Sequence, residues 1–172
     1  RPKGKIKETV NVNAVIGDIA DVMRSQPVMN DIRIACHLDA VNDSVWGNDD
    51  QLRQVFLNLL LNAADAIHSS KGDEKGQITI GTSNKESENA LSSPLLQVRF
   101  TDSGEGIDPE MLQDIFDPFY TTKEPGKGTG LGLSVSYMII EGMGGTIRAE
   151  GGPDQGAAFS IELPLVSSDI ER

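Results

Sequence analysis

Two glycine-rich segments carry the residues of this sequence whose types and spacing are suited to chemistry. The first is DSGEGI at residues 102–107, and the second is GKGTGLGL at residues 126–133. Glycine has no Cβ, so backbone N–H groups in such segments can closely approach an anion or a planar ring. Together the two segments predict a nucleotide pocket.

The first segment ends a predicted strand over residues 95–102. Because strand side chains alternate, Asp102 shares a face with the apolar residues of this strand and points to the core. A buried carboxylate needs a donor, and the exocyclic amine of adenine would be suitable. Gly104 and Gly106 would let the backbone turn beneath the ring. The alternative is a plain turn in which Asp102 caps the segment 109–115.

The second segment leads into a predicted helix over residues 131–143, and Lys123 and Lys127 stand shortly before it. A glycine-rich loop before a helix favours phosphate, because the free N–H groups and the helix dipole attract negative charge. The pattern does not match GxxxxGK[ST], since no Lys-Ser or Lys-Thr pair follows the last glycine. It also lacks the βαβ unit of a dinucleotide fingerprint.

A third group of polar residues lies on a predicted helix over residues 49–67. Its apolar residues recur at helical spacing and form a core face: Leu52, Val55, Phe56, Leu59, Leu60, Ala63 and Ile67. Asn58, Asn62 and Asp65 form a second stripe beside this face. The stripe is either a solvated flank or a set of oxygens that faces a hydrated Mg²⁺ ion and the phosphates that it carries.

Taken in their order along the chain, these segments resemble four boxes of bacterial sensor histidine kinases. The helix over residues 49–67 resembles the N box, residues 102–107 the first glycine box, and residues 126–133 the second glycine box. The F box is IFDPFYTTK at residues 115–123. GGTIR at residues 144–148 and GAAFSIELP at residues 156–164 complete the pattern, which spans residues 46–165. The YTTK run is similar to the nitrogen-regulation and dicarboxylate-sensing branch of the family.

The resemblance implies a role for each matching residue. Asn62 would coordinate Mg²⁺, Asn58 would support the metal or the phosphates, and Asp102 would read adenine. Residues 118–129 would form a mobile lid. The residues expected to bind ATP are Asn58, Asn62, Asp65, Asp102, Gly104, Gly106, Ile107, Lys123, Lys127, Gly128, Thr129, Gly130, Leu131, Gly132 and Leu133.

Two positions depart from the family pattern. Asp65 stands where many relatives carry Lys or Arg, so a basic phosphate contact from this helix is not expected. Ala158 stands where many relatives carry a hydroxyl residue. Ser160 is the candidate to hold a water molecule near adenine in its place.

Composition indicates a single domain that works inside the cell. The chain has 172 residues, of which 38% are hydrophobic, so one sizeable core is expected. The net charge of −11 argues against nucleic-acid binding. No apolar run is long enough to span a bilayer, so no membrane contact is expected, and the single Cys36 excludes an intrachain disulfide. We expect a cytoplasmic protein or the cytoplasmic part of a membrane-anchored sensor.

The expected fold is an α/β (α+β) two-layer sandwich, in which one mixed sheet of about five strands is covered on one face by three helices. The resemblance implies the Bergerat-type ATP-binding fold. The predicted helices cover residues 13–24, 49–67 and 131–143, and the predicted strands cover residues 32–39, 77–82, 95–102, 145–150 and 157–163.

The domain is predicted to fill residues 11–166, with a linker at 1–10 and a tail at 167–172. Residues 83–94 are polar and predict a long hairpin loop. The first helix is expected to have Asn11 or Asn13 as its cap. Val22 is expected on its apolar side.

Neither histidine fits the family's phosphoacceptor, which lies on an upstream dimerising hairpin and is usually followed by Glu. His37 precedes Leu-Asp in a predicted strand, and His68 precedes Ser-Ser at a helix end. The resemblance therefore implies a catalytic domain that transfers the γ-phosphoryl group of ATP to a histidine on a dimerisation domain outside this sequence. The full-length kinase would be a homodimer and would relay the group to the receiver domain of a response regulator.

Three other functions remain open. In a gyrase-like ATPase, a Glu four residues before the Mg²⁺ asparagine activates water, but this position is Asn58, whose amide cannot be a general base. An anti-sigma-factor serine kinase usually lacks the F box that residues 115–123 form here. A non-catalytic binding module would be identified by nucleotide titration.

Overall fold

A computed structural model describes residues 6–70, 72–89, 92–120 and 131–167. Its helices are α1 (Val12–Arg24), α2 (Asp49–Ser69) and α3 (Gly132–Gly142). Its strands are β1 (Glu8–Asn11), β2 (Ile32–Leu38), β3 (Ser44–Gly47), β4 (Gly76–Lys85), β5 (Leu95–Asp102), β6 (Thr146–Gly151) and β7 (Ala157–Pro164). Short 3₁₀ helices cover Pro27–Met29 and Pro109–Met111.

Five strands form one mixed sheet in the order β2-β4-β5-β7-β6. The pair β2 and β4 is parallel, and the other neighbours are antiparallel. The three helices pack on this sheet as a second layer, which confirms the predicted sandwich. The order of elements places the end of β5 and the start of β7 beside each other, because Asp102 pairs with Ala157.

Helix α2 packs against the middle of the sheet. All seven apolar residues predicted for its core face are buried, and Ala64 joins them. The ring of Phe56 stacks on Phe100 of β5 with 5.7 Å between centroids. Each large side chain buried in this way contributes roughly 1.5–3 kcal/mol. This packing fixes the position of α2, and therefore of its polar stripe, relative to β5.

The ribbon of β1 and β3 was not predicted. Residues 8–10, which were expected to belong to the linker, pair with β3 in this antiparallel ribbon. Val10 and Val45 point into the core, while Trp46 is exposed on the other side. The backbone N–H of Val166 donates to the carbonyl of Ser44, which attaches the end of the domain to the same ribbon.

Strand β4 is longer than predicted and extends to Lys85. Ser83, Asn84 and Lys85 pair with β5, so the predicted loop over residues 83–94 begins only after them. Their polar side chains suit this end of the sheet because it is exposed. The ammonium group of Lys85 lies 2.9 Å from a carboxylate oxygen of Glu162.

The backbone N–H groups at the start of α1 find hydrogen-bond partners other than the predicted Asn side chain. Asn11 occupies the cap position, but its side chain makes no capping hydrogen bond. Instead, the N–H of Val12 donates to the carbonyl of Asp43 at 3.0 Å, and the N–H of Asn13 donates to its carboxylate at 2.9 Å. Val22 is 60% exposed, so its placement on the apolar side was wrong.

No helix in the described part of the chain combines the length and the apolar character that a membrane span requires.

Candidate nucleotide-binding site

Asp102 is buried at the end of β5, as the alternation of this strand predicted. Its carboxylate accepts a hydrogen bond from the backbone N–H of Gly104 at 2.8 Å and also faces the backbone N–H of Ala157. Burial raises the pKa of Asp102, and the two N–H groups oppose that rise. Asp102 does not cap the segment 109–115, because Asp108 accepts from the N–H of Glu110 there. The capping alternative is therefore wrong.

The turn that follows Asp102 lies directly against the C-terminal half of α2. The N–H of Glu105 donates to the carbonyl of Ala66 at 3.2 Å. A Cβ on Gly104 would lie 2.6 Å from the carbonyl carbon of Ala66, which is too close for any other residue type. Gly104 therefore allows the turn after β5 to lie against α2.

The turn between β6 and β7 supports the same turn from the opposite side. The N–H of Asp154 donates to the carbonyl of Glu105 at 2.7 Å. Gly106 has φ of 82°, and a Cβ there would collide with the carbonyl oxygen of Gly152. Gly156 has φ of 70°, and a Cβ there would collide with the carbonyl oxygen of Asp102. The position of the Asp102 carboxylate thus depends on two glycines with left-handed conformations.

We expect Gly156→Ala to lower the free energy of unfolding by at least about 2 kcal/mol, because it combines left-handed strain with a backbone collision. Gly17→Ala is the matched control. Gly17 lies in the middle of α1, and no atom lies within 4 Å of the place that a Cβ would take, so alanine should stabilise the helix by about 1 kcal/mol. Urea titration of both variants measures the difference. If Gly156→Ala raised the free energy of unfolding as much as Gly17→Ala, the turn between β6 and β7 would tolerate a Cβ.

Asn58, the first residue of the polar stripe of α2, contacts the start of α3. The amide nitrogen of Asn58 donates to the carbonyl of Gly132 at 3.3 Å and lies 3.5 Å from the hydroxyl of Ser136. Asn62 lies one turn further along α2 and is half-buried. No hydrogen bond from another described residue occupies its amide group. Asp65 is half-buried on the same side of the helix.

The stripe therefore lies between the start of α3 and the turn after Asp102. Asn58 contacts α3, Ala66 contacts the turn after Asp102, and these two residues are separated by about 12 Å along the helix axis. Asn62 lies between them. An elongated ligand could reach from the buried carboxylate of Asp102, past Asn62, to the N-terminus of α3.

The described part of the second glycine segment contributes the beginning of α3. Leu131 is its N-cap, Gly132 begins the helix, and Leu133 packs partly on the core. A Cβ on Gly132 would meet Asn58 only at 3.7 Å, an ordinary contact, so packing on α2 does not require this glycine. Ile107 also packs partly on the core at the opposite end of the site.

The F box is anchored between α3 and β7. The ring of Phe116 contacts Tyr137, with 5.7 Å between centroids, and Phe159, with 6.4 Å. Ile115 is buried beside it, whereas Phe119 is 75% exposed and has φ of 67°. The beginning of this segment is therefore held in place by an aromatic cluster.

Lys123, Lys127, Gly128, Thr129 and Gly130 lie outside the described residues, as does most of the predicted lid at 118–129. Their roles remain predictions.

The hydroxyl predicted to replace Ala158 is in the wrong place. The pairing of β5 with β7 sets Ala157, not Ala158, opposite Asp102. Because side chains alternate, Ser160 lies on the face of the sheet away from the helices, where its hydroxyl accepts from Arg99 at 2.9 Å. Ala157 is therefore the position from which a hydroxyl would reach the carboxylate of Asp102.

The residues present fit a magnesium ion that arrives with a nucleotide. The described residues contain no group of three or more His, Cys, Asp or Glu side chains that could hold a metal. Mg²⁺ typically takes only one or two protein ligands and completes its shell with water and substrate phosphates. The amide oxygen of Asn62 suits this arrangement.

Residues 47–167 match the family described as histidine kinase-, DNA gyrase B-, and HSP90-like ATPase. The chain is 39% identical over 137 residues to the two-component sensor PprA of Pseudomonas aeruginosa, a match that covers 79% of this chain and 14% of that protein. It is 35% identical over 159 residues to sporulation kinase A of Bacillus subtilis, covering 92% and 24%. It is also 35% identical over 167 residues to the sensor histidine kinase ZraS of Salmonella typhimurium, covering 97% and 33%. The chain thus spans a third or less of these relatives.

Solved structures share the fold. The catalytic domain of the histidine kinase ThkA, in a nucleotide-free form, superposes with a TM-score of 0.71 at 30% identity and covers 92% of this chain and 95% of that one. Full-length ShkA in complex with AMPPNP superposes with a TM-score of 0.75 at 23% identity and covers 98% and 33%. The chain therefore belongs to the histidine kinase-, DNA gyrase B- and HSP90-like ATPase family, as a catalytic ATP-binding domain of the sensor histidine kinase type.

Proposed function

We propose that the chain binds Mg-ATP between α2 and the N-terminus of α3 and transfers the γ-phosphoryl group to a histidine outside this sequence. That histidine would lie on the dimerisation domain of the same kinase, in a homodimer. The phosphoryl group would then pass to the receiver domain of a response regulator on the cytoplasmic side of the membrane.

The environment of Asp102 supports adenine as the base. Its carboxylate is buried and can accept a hydrogen bond from the exocyclic amine of adenine. Guanine carries a carbonyl oxygen at that position of the ring. Two acceptors would then face each other in a site with little access for water, which disfavours guanine.

The hydrogen bond made by Asn58 is the observation on which the proposal of transfer rather than hydrolysis depends. The amide group of Asn58 donates to the carbonyl of Gly132, a bond that a carboxylate could not make. Since an amide does not accept a proton near neutral pH, this position cannot activate water. The family's hydrolytic alternative thus lacks its general base at this position.

The proposed reaction needs little covalent help from the chain. A nitrogen lone pair of the acceptor imidazole attacks the γ-phosphorus, the bond to the bridging oxygen breaks, and ADP leaves with that electron pair. Phosphoryl transfer of this kind depends on positioning and charge neutralisation. Asn62 would hold Mg²⁺ against the phosphates, and the N–H groups at the start of α3 would face them.

The isolated chain is expected to bind ATP, hydrolyse it very slowly and remain unlabelled by γ-³²P-ATP. When the dimerisation domain of the same kinase is added, we expect that domain to become labelled. The label should be acid-labile, because a phosphoramidate hydrolyses in acid. Gel autoradiography before and after acid treatment makes the measurement.

Other outcomes would each favour a different function. Rapid hydrolysis by the isolated chain would favour the ATPase, and acid-stable label on a serine of an added partner would favour the serine kinase. If calorimetry detects no binding of ATP with or without Mg²⁺, the chain is a non-catalytic module.

A further inference from the structure

We propose that Ser136 is a positioning residue, which fixes the first turn of α3 against the polar stripe of α2. This inference rests on the proposed function and deepens it, because the two surfaces that Ser136 holds together are those assigned to the phosphates and the metal. Ser136 itself would not touch the nucleotide.

Two polar side chains, one from each helix, meet at the carbonyl of Gly132. The hydroxyl of Ser136 donates to this oxygen at 2.8 Å, and the amide nitrogen of Asn58 donates to it at 3.3 Å. The same amide nitrogen lies 3.5 Å from the hydroxyl oxygen of Ser136, which can accept from it. The serine hydroxyl therefore strengthens a polar link between the stripe of α2 and the start of α3.

Ser136 is a polar residue at a fully buried position of α3, so its hydroxyl group is expected to have a structural role. Ser136 has no exposed surface, and Ile140, one turn further along α3, is also fully buried. Serine is a modest helix former, and in the middle of a helix its hydroxyl commonly bonds back to the carbonyl four residues earlier. An alanine would satisfy the helix equally well. What alanine would lose is the second acceptor for Asn58.

The position of this link connects it to phosphate recognition. Gly132 directly follows the glycine-rich residues 126–131, and Asn58 lies one helical turn from Asn62. A shift of α3 relative to α2 would therefore change the spacing between the phosphate-facing N–H groups and the metal-facing amide. The adenine end, about 12 Å from Asn58 along α2, would be unaffected.

Ser134 provides a matched control in the same helix. It is also buried, at 5% exposure, and its hydroxyl also donates to a carbonyl one turn earlier, that of Leu131 at 3.0 Å. Among the described residues, however, its hydroxyl makes no hydrogen bond to α2. Replacing Ser134 removes the same chemical group and the same kind of bond within the helix, but not the link between helices.

The experiment compares Ser136→Ala with Ser134→Ala in the full chain, using Mg-ATP and adenosine as probes. Adenosine has no phosphates, so its affinity reports on the Asp102 end of the site alone. We expect Ser136→Ala to weaken Mg-ATP binding about fivefold, the effect of one neutral hydrogen bond, and to change adenosine binding less than about twofold. Ser134→Ala should leave both affinities within about twofold. Loss of folded protein would weaken both probes equally, so the ratio of the two affinities isolates positioning.

A double-mutant cycle with Asn58→Ala tests the link directly. Because Ser136→Ala and Asn58→Ala break the same contact, their effects on the ratio should be less than additive. This inference alone would be overturned if the effects of Ser136→Ala and Asn58→Ala on the ratio were additive. The same holds if Ser136→Ala changed the affinities for Mg-ATP and adenosine alike, or if Ser134→Ala gave the same result as Ser136→Ala. Failure of the unaltered chain to bind Mg-ATP would overturn the proposed function and this inference with it.

Discussion

Replacement of Asp102 by alanine is expected to abolish the preference of this chain for adenine over guanine nucleotides. The substitution removes the buried carboxylate at the end of β5, and with it the acceptor that distinguishes an amine from a carbonyl. Hydrogen bonds to charged groups contribute about 1.5–3 kcal/mol, so ADP affinity should fall by about 10-fold to 150-fold. Affinity for GDP should change little. Parallel calorimetric titrations with ADP and GDP measure both.

Asp108→Ala is the control for this experiment. Asp108 also accepts a hydrogen bond from the backbone N–H two residues later, but it is exposed and lies after the turn. Its loss should leave the ratio of ADP to GDP affinity unchanged. If the unaltered chain binds ATP and GTP equally, the assignment of Asp102 to adenine is wrong.

Asn62→Ala is expected to separate metal use from base recognition. Loss of a group that only orients a metal ligand typically lowers metal affinity or activity by about 10-fold to 100-fold. Loss of a ligand itself should therefore reduce Mg²⁺-dependent phosphoryl transfer by about 100-fold or more. Metal-free ADP should still bind within about twofold of the unaltered affinity, since the Asp102 end is intact. Transfer assays with the added dimerisation domain and calorimetry in EDTA make the two measurements.

Gln51→Ala tests whether any amide on α2 gives the same result. Gln51 is exposed near the start of the helix, about 16 Å from Asn62 along its axis. We expect normal transfer and normal Mg²⁺ dependence. Should Asn62→Ala behave in the same way as this control, the amide stripe is structural and the metal is held elsewhere.

The parts of the fold that follow from long periodic patterns were predictable. Seven apolar residues at helical spacing defined the buried face of α2, and the alternation of β5 defined the burial of Asp102. These patterns are local, so each residue adds to the same signal. In contrast, β1 and β3 have four residues each, too few for a period, and they pair with each other across 30 residues or more.

The errors at the site arise from information that a single strand or helix does not contain. The position of Ser160 depends on the register between β5 and β7, and a shift of one residue exchanges the two faces of the sheet. The bond from Asn58 to Gly132 depends on how α2 and α3 pack, although these residues are 74 positions apart. The helical period placed Asn58 beside the apolar face of α2, but it could not identify the group that the amide meets.

The burial of Asp102 also has a consequence for the stability of the domain without nucleotide. Because folding raises the pKa of Asp102, its contribution favours the folded state at low pH and declines as the pH rises from the unfolded pKa through the folded pKa. Above the folded pKa, the empty fold therefore retains an ionised group that opposes its own stability. Asp102→Asn, which keeps an acceptor for Gly104 but cannot titrate, should remove this decline from the pH dependence of urea unfolding while it weakens ADP binding. If Asp102 binds adenine as proposed, a bound nucleotide would offset this loss of stability, because a ligand that binds only the folded state stabilises it.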